Sequence, residues 1–156
     1  MTNLLHGRDL ASAELDYRGL LIASPADFMD HRGKLSVLEH GRDMGFDAKR
    51  TFFMEFAGGG PDGMVRAEHA TSCNQLLVTL RGTIRLDLDN GAARLSVIAT
   101  PLKAAYLVAA GVWRRVVALE ADALLMVLAD KSYAETRYFP VPMPDMIDAN
   151  VRRRSE

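Results

Sequence analysis

Few side chains in this sequence can move a proton near neutral pH, and one of them lies in a stretch dense with polar partners. The stretch reads Met64-Val65-Arg66-Ala67-Glu68-His69-Ala70-Thr71-Ser72-Cys73-Asn74-Gln75-Leu76-Leu77-Val78. It follows a glycine-rich break at 58–63 and ends in apolar strand formers. An unperturbed imidazole titrates close to physiological pH, so His69 can serve as both base and acid. Arg66 and Gln75 flank it, and a guanidinium offers a fork of donors suited to oxyanions. His6, His31 and His40 fall in predicted loops or the N-terminal segment, which leaves His69 as the histidine on a predicted barrel strand. A strand histidine can equally be a structural residue bonded to a neighbour such as Glu68 or Gln75, and the residues alone leave both readings open.

Further candidates are spread along the chain. Arg50 opens an aromatic-rich segment, Thr51-Phe52-Phe53. Tyr106 is a polar handle in an otherwise apolar segment. Trp113, the only tryptophan, follows a glycine turn and can stack on a base or sugar ring, or pack in a core or an interface. Arg114 and Arg115 are adjacent on one strand, so at most one points inward. The single cysteine, Cys73, excludes an intrachain disulfide and a Cys-rich metal site, and reads as a small buried hydrophobe.

The elements that must position these residues are strands. Lys34 to Glu39 alternates polar and apolar, as does Thr83 to Leu88, and Lys49 to Phe56 is rich in aromatics. Gln75 to Leu80, Ala92 to Val97, Ala105 to Val108 and Val112 to Leu119 follow. Ala123 to Ala129 is nearly all apolar, as expected of a strand buried on both faces. Asp89-Asn90-Gly91 is a hairpin signal, because Asn-Gly takes the positive φ angles of a tight turn. Ser24-Pro25-Ala26-Asp27 reads as a turn or helix entry, His40-Gly41-Arg42-Asp43 as a break, and Asp9 to Tyr17 as a short helix or a loop. Tyr133 to Tyr138 reads as a short turn or helix. Phe139 to Pro144, with proline at every second position, is extended and cannot be a central strand, and Pro144 to Ala149 can begin a terminal helix. Short strands separated by Gly, Asn and Pro turns at roughly ten-residue intervals indicate a β-sandwich or barrel. No glycine-rich phosphate loop joins a strand to a long helix, which argues against the dinucleotide-binding α/β folds.

Composition narrows the class. At 156 residues the chain suits one domain with a sizeable core. Its formal net charge of −1 gives no general pull toward nucleic acid, and Arg152-Arg153-Arg154 reads as a solvated tail. No apolar run is long enough for a membrane span and the N-terminus lacks signal-peptide features, so the expected location is the cytoplasm.

From Asp30 to about Tyr138 the sequence resembles the sugar 3,4-ketoisomerase family, the cupin-like enzymes also known as WxcM-like domains. The matching pieces occur in order: Asp30-His31-Arg32-Gly33-Lys34-Leu35, Phe46-Asp47-Ala48-Lys49-Arg50, Arg66-Ala67-Glu68-His69-Ala70 with Gln75, Asp89-Asn90-Gly91, Tyr106 to Trp113, and Leu124 to Tyr138. The resemblance implies an all-β fold, a cupin-like jelly-roll β-barrel at 30–139, with short extensions at 1–29 and 140–156. It implies no cofactor, a homodimer, and a nucleotide-sugar pocket in the barrel mouth. The implied reaction moves the keto group of a dTDP-4-keto-6-deoxyhexose from C4 to C3 through an enediol, in deoxysugar and polysaccharide biosynthesis. His69 and Arg66 would then be catalytic, with Arg50, Gln75, Tyr106, Trp113 and Arg114 binding the substrate and the arginines suited to its diphosphate.

The family pattern around the site runs Arg-Gly-x-His-Ala-His. Here Thr71 stands in place of the second histidine, with one residue fewer before Gln75, and Phe52-Phe53 replaces a tyrosine pair. Three readings follow: an active isomerase, a module that only binds the nucleotide sugar, and a related keto-sugar epimerase. Many cupins hold a metal on a His-x-His pair, a Glu and a later His. His69 has no partner two residues on, and Arg114 stands where the later histidine would fall, so no metal is expected.

Overall fold

The computed structural model describes residues 3–6, 17–57, 63–148 and 151. The segment 7–16, the glycine break at 58–62 and the arginine tail at 152–154 lie outside the described residues. In chain order the strands are β1 (Asn3–His6), β2 (Leu20–Ala23), β3 (Ala26–Asp30), β4 (Gly33–Val37), β5 (Arg50–Glu55), β6 (Met64–Thr71), β7 (Gln75–Arg81), β8 (Ile84–Asp89), β9 (Arg94–Ala99), β10 (Ala105–Val108), β11 (Trp113–Ala118), β12 (Leu124–Ala129) and β13 (Tyr138–Phe139). One short helix, α1 (His40–Met44), and a 3-10 turn, Pro144–Met146, complete the described elements.

Alternating residues build the two main sheets. Ile84, Leu86 and Leu88 of β8 are buried, while Arg85, Asp87 and Asp89 point the other way. The six-stranded sheet has the order β1-β9-β8-β11-β6-β13, and the five-stranded sheet the order β2-β10-β7-β12-β5. Neighbours are antiparallel except β1 and β9. The inner faces meet in one core containing Leu77, Leu86, Val97, Tyr106, Val116, Leu125 and Val127, all at or below 1% exposure, so apolar burial dominates the stabilisation. This is an all-β jelly roll of the cupin kind. It is not closed all round: β5 ends one sheet, and β13 covers only Ala70 and Thr71 of β6.

Several local expectations change. Ala26-Asp27 is the start of β3, not a turn, and pairs with Ser36-Val37 in a hairpin apart from the two main sheets. His40 to Met44 is a helical turn closed by Gly45 at φ 60, not a plain break. β12 is buried on one face only: Leu125, Val127 and Ala129 are buried, and Leu124, Met126 and Leu128 are half-buried. The terminal helix is reduced to the 3-10 turn.

A bulge in β6 decides which of its residues share a face. His69 pairs with Arg114, but Arg66 pairs with Val116, so Ala67 and Glu68 together oppose Arg115. Strict alternation would put Arg66 and His69 on opposite faces; the extra residue brings both to the face of Arg114 and Val116. The bulge is made by Ala67 in the left-handed region, φ 58, at a cost of about 1–2 kcal/mol for a residue with a Cβ. Ala67→Gly is therefore expected to raise stability by about 0.5–1 kcal/mol, read as a higher urea midpoint at unchanged m-value.

On the outer face of the six-stranded sheet Asp87 collects donors. It accepts from Ser96 Oγ at 2.7 Å, Arg85 Nε at 3.0 Å and Arg115 Nε at 2.9 Å. Partial burial pushes its carboxyl up, but the bonds from Ser96, Arg85 and Arg115 outweigh that and hold it below its ordinary 3.8. The resulting stability is fully present above 3.8 and is lost as pH falls through the depressed value. Asp87→Asn should cost about 1–3 kcal/mol at pH 7, and the difference from wild type should shrink in acid, as followed by urea unfolding across pH.

Candidate functional site

Register gathers the polar residues at one end of the barrel. In the five-stranded sheet Arg50 pairs with Ala129, Ala129 with Gln75 and Gln75 with Val108, so these four residues form one row. In the facing sheet Arg114 pairs with His69. The two rows are tied across the interior by a hydrogen bond from Arg114 Nη1 to Gln75 Oε1 at 2.7 Å.

The turns around this end are pinned. Asn74 donates from its backbone N–H and its Nδ2 to the Asp130 carboxylate, each at 2.9 Å, and its Oδ1 accepts from Ala110 N–H at 2.8 Å. One side chain thereby fixes three connections, those after β6, β10 and β12. Ser72 and Arg137 exchange two further bonds, Ser72 N–H to Arg137 O at 2.9 Å and Arg137 N–H to Ser72 Oγ at 2.8 Å.

Arg114 is the electrostatic centre. It is 1% exposed, and among the described residues its acceptors are all neutral, Gln75 Oε1, Ala109 O at 3.2 Å and Val112 O at 3.0 Å, and its Nε has no partner. Burial without a carboxylate pushes its pKa down to about 10. His69 beside it is half-buried; desolvation first, and the Arg114 charge second, lower its pKa from the usual 6.5. At neutral pH the imidazole is therefore uncharged and able to accept a proton.

Tyr106 sits two positions deeper, opposite Leu77, its hydroxyl buried and without a partner among the described residues. Burial raises its pKa to about 12. Arg50 lies at the rim, its guanidinium carbon 5.0 Å from the Phe52 ring centroid and 5.7 Å from that of Tyr133, with Nη2 3.4 Å from Thr136 Oγ1 and Nε without a partner among the described residues. Phe53 is 58% exposed and does not fill the barrel. Arg66 shares the inward face of β6 but is exposed.

Trp113 is not brought to this end. It lies on the opposite face of β11 from Arg114, where it lines a surface pocket of about 410 Å³ with Asp87, Asp89, Arg94 and the Pro140–Pro142 strap. Two residues escaped sequence reasoning as parts of the site. Tyr138 packs on His69 with ring centroids 4.9 Å apart and planes at 77°, and Tyr133 lies 6.4 Å from Tyr138. The only signal was a pair of tyrosines in a segment without periodicity. Among the described residues no three His, Cys, Asp or Glu side chains converge as a metal site.

Comparison with known proteins agrees with this architecture. The family described as FdtA, WxcM-like, C-terminal, matches residues 20–141. A TDP-4-oxo-6-deoxy-α-D-glucose-3,4-oxoisomerase from Aneurinibacillus thermoaerophilus is 30% identical over 112 residues, covering 70% of this chain and 78% of that protein. Among solved structures, a 3,4-ketoisomerase from Helicobacter canadensis superposes with a TM-score of 0.70 at 24% identity, covering 80% of this chain and 92% of the other. The WlaRB TDP-quinovose 3,4-ketoisomerase of Campylobacter jejuni gives 0.70 at 22% identity, covering 80% and 94%.

Proposed function

The chain belongs to the FdtA, WxcM-like family, and from that premise we propose that it is a nucleotide-sugar 3,4-ketoisomerase. Its substrate is a dTDP-4-keto-6-deoxyhexose, whose keto group it moves from C4 to C3. The observation that carries the reading is the pair at the barrel mouth: the half-buried His69 imidazole opposite a buried guanidinium that, among the described residues, has no carboxylate partner. Neutral His69 takes the proton from C3, and the electron pair passes into an enediolate with its charge on O4. Arg114 steadies that charge, for which its buried cation is already in place. The O3 proton passes to O4, and the imidazolium returns its proton to C4, leaving the ketone at C3. Arg50 at the rim holds the diphosphate together with Arg66, which is exposed on the inward face of β6 opposite Val116, and Gln75 keeps Arg114 aimed.

The protein works as a cytoplasmic homodimer, in deoxysugar and polysaccharide biosynthesis. Support for the dimer comes from the β3–β4 hairpin, which projects Phe28, Met29 and Leu35 at 62%, 77% and 62% exposure. A two-stranded hairpin is marginal in water by itself, and an exposed apolar cluster of this kind marks a contact surface.

The test is to incubate the protein with dTDP-4-keto-6-deoxyglucose in deuterated water and follow the sugar ring by NMR. The expected result is deuterium in the ring and a 3-keto product. Binding with no exchange would overturn the isomerase reading and leave a nucleotide-sugar binding module.

A further inference from the structure

Among the described residues no hydrogen bond holds the ring of His69. Among the described residues neither of its ring nitrogens has a hydrogen-bonding partner. The groups nearest in sequence are engaged elsewhere: Thr71 donates its hydroxyl to Cys73 O at 2.9 Å, and Gln75 accepts from Arg114. An acid/base histidine ordinarily has its tautomer and orientation set by a partner on the second nitrogen. Here the contact is a ring. β13 pairs Tyr138 with Thr71, which puts Tyr138 diagonal to His69 on the same face, within reach of an aromatic side chain. The rings meet edge to face at 4.9 Å and 77°. Tyr138 is itself held, by Tyr133 on one side and by the paired bonds between Ser72 and Arg137 immediately before it.

We propose that Tyr138 is the positioning residue of this site: its ring fixes the plane of the His69 imidazole and leaves both ring nitrogens free for substrate. The proposal deepens the isomerase reading and rests on it only for the role of His69. Among the described residues the Arg114 cation from β11 and the Tyr138 ring from β13 face the imidazole, and the exposed Arg66 cation lies on the same face of β6. Arg114 is unchanged by substitutions at 138, so an effect on His69 reports the ring.

The experiment compares wild type with Tyr138→Phe, Tyr138→Ala and Tyr138→Leu, the last filling space without a ring. The His69 imidazole is titrated by NMR in the free protein, and kcat and KM are measured separately. Tyr138→Phe is expected to keep the wild-type titration and turnover. The Ala variant is expected to move the His69 titration upward, because water then reaches the imidazole, the Leu variant to move it less, and both to lower kcat by about tenfold with KM within about twofold. An unmoved His69 titration in both overturns the proposal. So does a Phe variant as impaired as Ala, because the hydroxyl would then be the working part. If wild type shows no turnover yet the Ala variant shifts the titration, the positioning role stands and the isomerase reading falls.

Discussion

Replacing His69 with alanine is expected to lower turnover of a dTDP-4-keto-6-deoxyhexose by about a thousandfold, within the range for a lost general acid/base. His69 is the half-buried imidazole at the mouth, and desolvation together with the Arg114 charge holds it neutral at pH 7. Neither Tyr106 nor Arg114 can take its place at that pH: Tyr106 has its pKa raised to about 12 and Arg114 only falls to about 10. The substitution removes the proton carrier without touching the arginines, so affinity for dTDP should stay within a few-fold. Wild-type kcat/KM should fall as pH drops through the folded His69 value, which lies below 6.5. Stability carries the same sign. The unfolded imidazole binds its proton at 6.5 and the folded one only at lower pH, so His69 costs the fold stability as pH drops below 6.5. The alanine variant should lose that part of the acid sensitivity. Ring deuteration in the variant within tenfold of wild type would remove His69 from the mechanism.

Much of the sheet framework was legible because alternation is a local property. Ala105 to Val108 is found at its expected bounds, and the strands from Thr83 to Leu119 differ by one or two residues at their ends. Where the sequence misled, tertiary contacts decided. His40 to Met44 contains a glycine and has no side-chain N-cap, yet it is helical because Met44 and Phe46 are buried in the core and the turn lies against β2. Of the site, His69, Gln75, Arg50 and Arg114 could be nominated by type and position. What joins them could not. A bulge built on alanine has no sequence signal, since glycine is the residue that normally occupies φ 58, and without the bulge Arg66 and His69 would be read as facing opposite ways. Tyr138 reaches His69 only through a two-residue strand. Trp113, prominent by rarity, is carried to the outer face by the same alternation that turns Arg114 inward.

Arg114 is expected to be costly to the fold and needed for the chemistry, and the two can be separated. Its guanidinium is 1% exposed among neutral acceptors, a position that burial penalises enough to bring its pKa to about 10. Because the folded value lies below that of an ordinary guanidinium, the penalty is complete at pH 7 and is relieved only as pH rises above about 10. Its size is on the order of a few kcal/mol. Arg114→Met alone takes the guanidinium donor from Gln75 Oε1 and Val112 O, while Ala109 O keeps the Val112 N–H, and this offsets part of the gain. Changing both partners, Arg114→Met with Gln75→Met, replaces the polar pair with apolar side chains, and the double variant should be more stable than wild type by about 1–3 kcal/mol in urea. Activity should move oppositely. If Arg114 steadies the enediolate, its loss removes an interaction made mainly in the transition state, and kcat should fall by about a hundred- to a thousandfold with KM changed only a few-fold. A large rise in KM at unchanged kcat would make Arg114 a ground-state binder of the nucleotide sugar. A double variant less stable than wild type by more than about 2 kcal/mol would make the pair a structural strut. The expected combination, a stabler protein that no longer turns over, is what a site holding an unpaired cation for a transient anion should give, since that cation is compensated only while the anion is present.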